Sequence, residues 1–249
     1  MSRWLAEPLR IALAPSEAAL LRGDKRLVLT TPERSPASLL PLLDAALVDA
    51  AWRGSRVDVV LSQHFVRHVL TPPPRKAISQ AEERALVAAA FRNIYGDAAS
   101  AWQIEVHSQP PQHGLLGAAV DATFAQQLDA LLARHGFRDI TIRPLASVAA
   151  TRLPSKLDGW WALVETGWLS LFNASRGIWR TVSAQPIDAG WSTQLSELIA
   201  RESVGDALPT VWVHGFGVGT VATPDGDHAR WQILPHDNRT RGALALVAA

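Results

Sequence analysis

The stretch VHGFGVGTVATPDGD, Val213 to Asp227, sets three alternating glycines, Gly215, Gly217 and Gly219, at the end of an apolar run. Glycine-rich turns after a buried strand are common phosphate cradles, because backbone N–H groups approach the ligand with no Cβ in the way. Two familiar cradles do not fit. Gly217-Val218-Gly219 could open a G-x-G-x-x-A dinucleotide fingerprint ending at Ala222, but Pro224 and Asp225-Gly226-Asp227 stand where its helix must begin. A Walker A loop needs Gly-Lys-Ser/Thr, which is missing.

Other candidate chemistry is thinner. His64 and His68 are four residues apart in QHFVRHVL. That stretch reads as a strand, where this spacing puts both on one face, but no third ligand is near, so a surface or interface pair is the better reading than zinc. Asp225, Asp227 and Asp237 lie around Gly226 without the D-x-D-x-D-G spacing of a calcium loop. There is no G-x-S-x-G elbow. Asp58 and Glu165 are the obvious acids on buried strands, too few for a carboxylate-clustered nuclease centre.

The chain must supply a frame for whatever these residues do. Its 249 residues are 48% hydrophobic and 19% charged, a globular composition large enough for one big domain or two lobes. Twenty-four basic residues against 23 acidic ones leave no charge argument for nucleic acid or an anionic membrane surface. With no cysteine, disulfides, thiolate metal sites and cysteine nucleophiles are excluded. Glu7, Arg10 and Glu17 interrupt any N-terminal signal sequence, and ALALVAA is too short to span a bilayer, so the expectation is a soluble cytoplasmic protein.

Read along the chain, LRIALA, AALLR and RLVLTT form three short strands. A helix over ASLLPLLDAALVDAAWRG follows, with Pro41 tolerated in its first turn and Gly54 as its stop, and then the buried strand RVDVVLS. Ser79 and Glu82 have capping-box spacing and open a helix that runs to Tyr95. WQIEVHSQ and GLLGAAV read as partner strands, DATFAQQLDALLARHG as an amphipathic helix, and DITIRPLA as a strand. The opening pattern then returns. WWALVET, WLSLFN and IWRTVSA are three strands, WSTQLSELIARESVG is a helix, and PTVWVHG is a buried strand. The β-β-β-α-β order of Leu9 to Ser62 thus recurs from Trp160 to His214 at an offset of about 150 residues. Seven of the ten tryptophans lie at or after Trp160. Most of these fill a core, while Trp168, Trp179 and Phe172 could form an exposed patch for a protein partner.

A doubled unit of this kind resembles the actin-like (ribonuclease H-like) ATPase fold: two α/β lobes, here 1–155 and 156–249, with a small α+β subdomain inserted in the first lobe at about 64–116. Within that fold, VVLSQHFVRHVLTPPP, SQAEERALVAAAFRNIYG, LLGAAVDATFAQQLDALLARHGFRDITIRP and WWALVETGWLSLFNASRGIWRTV resemble the PilM, MshI and GspL-cytoplasmic-domain family of type IV pilus and type II secretion assembly. The resemblance implies a cytoplasmic subunit, peripheral to the inner membrane through its partner. It would bind the short N-terminal tail of a PilN-like inner-membrane protein and link that complex to the cytoplasmic assembly ATPase. The groove between the first lobe and the insertion is the expected place. The absence of a following membrane helix implies the separate-subunit arrangement, and no nucleic-acid partner is expected.

The resemblance also implies where ATP and Mg²⁺ would sit. Family members hold phosphate on two D-x-G hairpin turns. The first should fall at Ala14-Pro15-Ser16-Glu17, which has no Asp, no Gly and a proline without an N–H. The second falls at Glu165-Thr166-Gly167, a partial match whose glycine ordinary hairpin chemistry also explains. The adenosine turn corresponds to Gly215 and Gly217. The expectation is a degenerate nucleotide site without catalytic residues or metal ligands, and an assembly scaffold. The competing class is an actin-fold ATPase or phosphotransferase that hydrolyses ATP.

Overall fold

The computed structural model describes residues 7–110, 112–203, 208–219, 221, 223–224, 227–235 and 242–247. Ala222, Asp225, Gly226 and Asp237 lie outside the described residues.

The strands β1 (Leu9–Ala14), β2 (Glu17–Arg22) and β3 (Lys25–Thr30) make an antiparallel meander. Helix α1 (Pro36–Leu47) returns the chain so that β4 (Arg56–Leu61) pairs parallel to β1, in register from Leu9↔Val57 to Leu13↔Leu61. Strand β8 (Asp139–Pro144) then pairs parallel to β4, giving the order β3-β2-β1-β4-β8. The second half repeats this plan. Strands β9 (Gly159–Glu165), β10 (Trp168–Ser175) and β11 (Ile178–Pro186), helix α5 (Trp191–Glu202), β12 (Thr210–Phe216) and β13 (Arg230–Ile233) give β11-β10-β9-β12-β13. The repeat is therefore one strand longer than the sequence reading has it, because β13 alternates polar and apolar over only four residues, the shortest stretch that such a pattern can mark.

Central strands in such sheets are buried on both faces, which is why they read as near-continuous apolar runs. Alternation still decides which core each side chain joins. Leu9, Ile11, Leu13, Val57 and Val59 face α1 and α3, whereas Ala12, Ala19 and Val60 face the other lobe. In the second sheet, Trp160, Ala162 and Val164 face α5, whereas Trp161 and Leu163 face the first lobe. Two short helices, α4 (Leu145–Ala149) and α6 (Ala243–Val247), complete this inter-lobe core.

Between β4 and β8 the chain makes β5 (Arg67–Leu70), α2 (Gln80–Tyr95), β6 (Trp102–His107), β7 (Leu116–Asp121) and α3 (Ala122–Arg134). Strands β5, β7 and β6 form a separate antiparallel sheet with a core of its own on α2. The capping box is present, with Ser79 and Glu82 bonded reciprocally at the start of α2. Two expectations are corrected. Helix α1 begins at Pro36, so Pro41 lies past the first turn, where its missing N–H removes one helical bond. The helix also ends at Leu47, well before Gly54, and a short 3-10 turn capped by Asp49 follows.

Strand β7 lies so close to α2 that a Cβ at Gly117 would collide with Val87 and sit 3.1 Å from Phe91. Overpacking at such a point costs about 1–3 kcal/mol. Gly117→Ala is therefore expected to lower stability by that amount in chemical denaturation. A loss below a few tenths of a kcal/mol would show that the sheet-to-helix spacing is slack.

Candidate functional site: the seam between the lobes

Strands β9 and β10 are joined by a two-residue turn, Thr166-Gly167, with Glu165 paired opposite Trp168. Gly167 has φ +79°, a conformation that glycine adopts without strain. Alternation points Glu165 to the same face as Trp161 and Leu163, toward the first lobe. Its carboxylate is buried there, receiving the Ser62 hydroxyl on Oε2 at 2.6 Å and the Gln63 backbone N–H on Oε1 at 2.8 Å. Both donors belong to the turn that follows β4. The imidazole of His64, next in that turn, donates from Nε2 to the Thr166 carbonyl at 3.0 Å, and the Thr166 hydroxyl donates to the Gly217 carbonyl at 3.1 Å.

The structure thus brings together Glu165, Thr166, Gly167 and Gly217 from the expected site set. Gly215 stays within β12, where a Cβ would collide with Val221 and lie 2.9 Å from Val218. Its side-chain-free backbone is required by that close approach. Gly217 and Gly219 have φ of +71° and +76°, so each of the three glycines has a packing or conformational reason. A Cβ at Gly217 would lie 2.8 Å from the Gly242 nitrogen. At the other side of Gly242, Glu17 in the β1–β2 turn accepts the Ala243 N–H at 3.0 Å and so caps α6. The chain at Gly242–Ala243 therefore lies between the first turn and Gly217, the interval that the resemblance assigns to nucleotide.

These groups do not fit a nucleotide as they stand. The acid that would organise Mg²⁺ is enclosed by protein donors, the Thr166 carbonyl and hydroxyl are bonded to protein, and Pro15 offers no N–H. Ser62 and Gln63 were not legible as seam residues, and Glu17, placed in the first turn, was not legible as the acceptor of the Ala243 N–H. The signal that could have found them is the polar Ser62-Gln63 immediately after the apolar RVDVVL, at the place where a sheet meets its neighbour.

Two further expectations change. His64 lies in the turn before β5 and His68 within it, so they do not share a strand face. Their rings pack on Trp168 and Phe172 at 5.2 and 5.4 Å, and no group of three metal-ligating side chains occurs among the described residues. Trp168, Trp179 and Phe172 are not an exposed patch. Phe172 is buried and the two tryptophans are half-buried, because this face of the second sheet is covered by the first lobe and the insertion.

A second feature adjoins the seam. A groove of about 750 Å³ runs between the insertion (β6, β7), the first lobe (α3, β8, α4) and the second-lobe aromatics Trp161, Phe172 and Trp179. Strands β6 and β8, the outer strands of their sheets, both border it. Gln109 steadies the end of the insertion, pairing its side-chain amide with the Trp179 N–H at 2.7 Å and carbonyl at 3.2 Å.

Burial raises the Glu165 carboxyl from 4.5 to about 7, opposed by its bonds from Ser62 and Gln63. Between those values the unfolded chain has released this proton and the folded chain retains it. Stability contributed by Glu165 therefore falls as pH rises from 4.5 to about 7, by about 3 kcal/mol, and is level above. His64 and His68 act oppositely, since burial lowers both, His68 to about 4, and their contribution is lost as pH falls. The neighbouring cations Arg34 and Arg67 add to the lowering at His64. The Glu165 effect is thus isolated as the difference between wild type and Glu165→Gln. That difference in unfolding free energy should change across pH 4.5–7, and parallel curves would refute the assignment.

No protein-family model matches the chain, and no curated protein sequence matches it. Solved structures match its fold. The cytoplasmic domain of EpsL, an inner-membrane component of the type II secretion system of Vibrio cholerae, superposes with a TM-score of 0.58 at 12% identity, covering 97% of this chain and 93% of that one. A Bacteroides thetaiotaomicron protein with an actin-like ATPase fold gives 0.56 at 10% identity, covering 100% and 99%. The PilM–PilN type IV pilus biogenesis complex gives 0.54 at 12%, covering 85% and 82%. The doubled sheet order, the seam at the ends of β1, β4, β9 and β12, and these superpositions identify the chain as an α/β protein of the two-lobed actin-like ATPase fold.

Proposed function

We propose that this protein is a non-catalytic cytoplasmic scaffold of an inner-membrane assembly platform, of the type IV pilus or a related secretion system. It holds the extended N-terminal tail of a PilN-like inner-membrane partner and thereby stands peripheral to the membrane, between that partner and the assembly ATPase. The observation that carries this reading is the groove. It has a volume of about 750 Å³, is largely apolar in its lining and is bordered by two outer strands, β6 and β8. An extended segment laid there can add main-chain hydrogen bonds to a sheet edge and seat alternate side chains in the floor. The likeness to EpsL and PilM–PilN supports the class of machine. No described helix is long and apolar enough to cross a membrane, consistent with attachment through a partner.

The enclosed Glu165 and the chain at Gly242–Ala243 support a role without ATP turnover. In a nucleotide titration with and without Mg²⁺, the expected result is no tight binding. Mg²⁺-dependent ATP hydrolysis abolished by Glu165→Ala would overturn the scaffold reading in favour of an actin-fold ATPase. For the groove, Ala125→Trp places a large side chain on the groove face of α3. It is expected to abolish co-purification of an inner-membrane protein with the wild-type chain while leaving the melting temperature within a few degrees. Undiminished co-purification would place the contact elsewhere.

A further inference from the structure

The groove is not chemically uniform. Strand β6 alternates, turning Ile104 to the core under α2 and Gln103, Glu105 and His107 to the groove, while Val106 packs on that core and also borders the groove. Across from it, α3 buries Phe124, Leu128 and Leu132 in the first lobe and turns Ala125, Gln126 and Asp129 to the groove. Among the described residues of its lining, Glu105 and Asp129 are the carboxylates and there is no Lys or Arg. Neither carboxylate takes part in an ion pair among the described residues. His68 adds no charge there at neutral pH, because burial lowers it to about 4. The cations lie elsewhere. Arg34 and Arg67 line a separate cavity of about 330 Å³ at the start of β6, beside Trp102. The aromatic wall holds one further unmatched group. Trp161 is 1% exposed and stacked on Phe172 at 5.0 Å, and its indole N–H has no acceptor among the described residues.

We propose that the groove selects an extended segment with aliphatic side chains and one basic side chain, the cation seated at Glu105 and Asp129 and a main-chain carbonyl accepting from Trp161 Nε1. This rests on the reading of the groove as a tail site and adds its selectivity. Two carboxylates lining one groove make its potential negative, so the occupied groove favours Lys or Arg over a neutral or acidic residue. A buried indole N–H gains an acceptor only from the occupant. In the cavity at the start of β6, Arg34 and Arg67 outnumber the one lining carboxylate, Asp121, which disfavours a basic residue there and sets the direction of the segment. Cytoplasmic segments next to membrane helices carry an excess of Lys and Arg, so a membrane partner's tail has the required chemistry.

The test uses three sets of fluorescein-labelled eight-residue peptides in which leucine alternates with serine. One internal position, scanned along the peptide, holds lysine, glutamine or glutamate. Fluorescence anisotropy with the full chain should rank lysine tightest, about five-fold over glutamine, with the advantage shrinking as salt rises. The double variant Glu105→Gln, Asp129→Asn, both exposed positions, should erase the ranking without lowering the melting temperature. Trp161→Phe keeps the ring and removes the donor, and should weaken all three sets by about five-fold. Equal affinity of the three sets, with binding still blocked by Ala125→Trp, overturns the selectivity and leaves the groove reading standing. Binding of none of the peptides overturns both.

Discussion

One buried carboxylate ties the molecule together. Glu165 leaves the second sheet at the end of β9 and is received by two donors from the turn after β4 of the first sheet. A carboxylate removed from water is unfavourable unless it is hydrogen-bonded, and a one-sided loss of its donors would leave an unmatched charge in the core. The two lobes are therefore held at one relative position by a group that cannot be satisfied within its own lobe. Around it the rest of the seam follows. His64 meets Thr166, Thr166 meets Gly217, and the apolar face of Trp161, Leu163 and Phe172 closes on Ala12, Ala19 and Val60.

In a nucleotide-dependent two-lobe protein the ligand bridges the lobes and its phosphates decide their angle. Here protein groups take that position. The turn after β1 offers a glutamate that caps α6, and the turn after β9 offers a glutamate bonded to the opposite lobe. Each of these acids is taken up by protein donors, Glu17 by the Ala243 N–H and Glu165 by Ser62 and Gln63. This gives the groove a fixed third wall, because the second-lobe aromatics that line it cannot drift from α3 and β6 while the seam is closed.

Much of this was legible in the sequence, for identifiable reasons. The doubled β-β-β-α-β order, the capping box at Ser79 and the pairing of β6 with β7 rest on local chemistry, and local chemistry is written in neighbouring residues. The superpositions agree with the fold that this order implied. What could not be read depends on residues far apart in the chain. Ser62 and Gln63 look like ordinary strand-end polar residues until Glu165 is placed against them, about 100 positions later. The histidine pair was assigned to one strand because apolar residues flank it, but the seam needs His64 in a turn. An exposed patch of Trp168, Trp179 and Phe172 was open as a reading because a single sheet has two faces, and only the position of the first lobe and the insertion shows that this face is covered. ALALV was weighed as a membrane segment and is a helix packed between the lobes.

The cap on α6 joins Ala243 to Glu17, residues 226 positions apart. A ribosome delivers the β1–β2 turn 226 residues before the start of α6. Throughout synthesis the inter-lobe face of the first sheet must wait with Ala12 and Ala19 uncovered, since α6 and the second sheet that bury them do not yet exist. Contacts of such long sequence separation form slowly. The first lobe thus depends on a segment made more than two hundred residues after its own first turn. A nascent chain stalled before α6 presents to the cell an open apolar seam, the kind of surface that chaperones hold and proteases find.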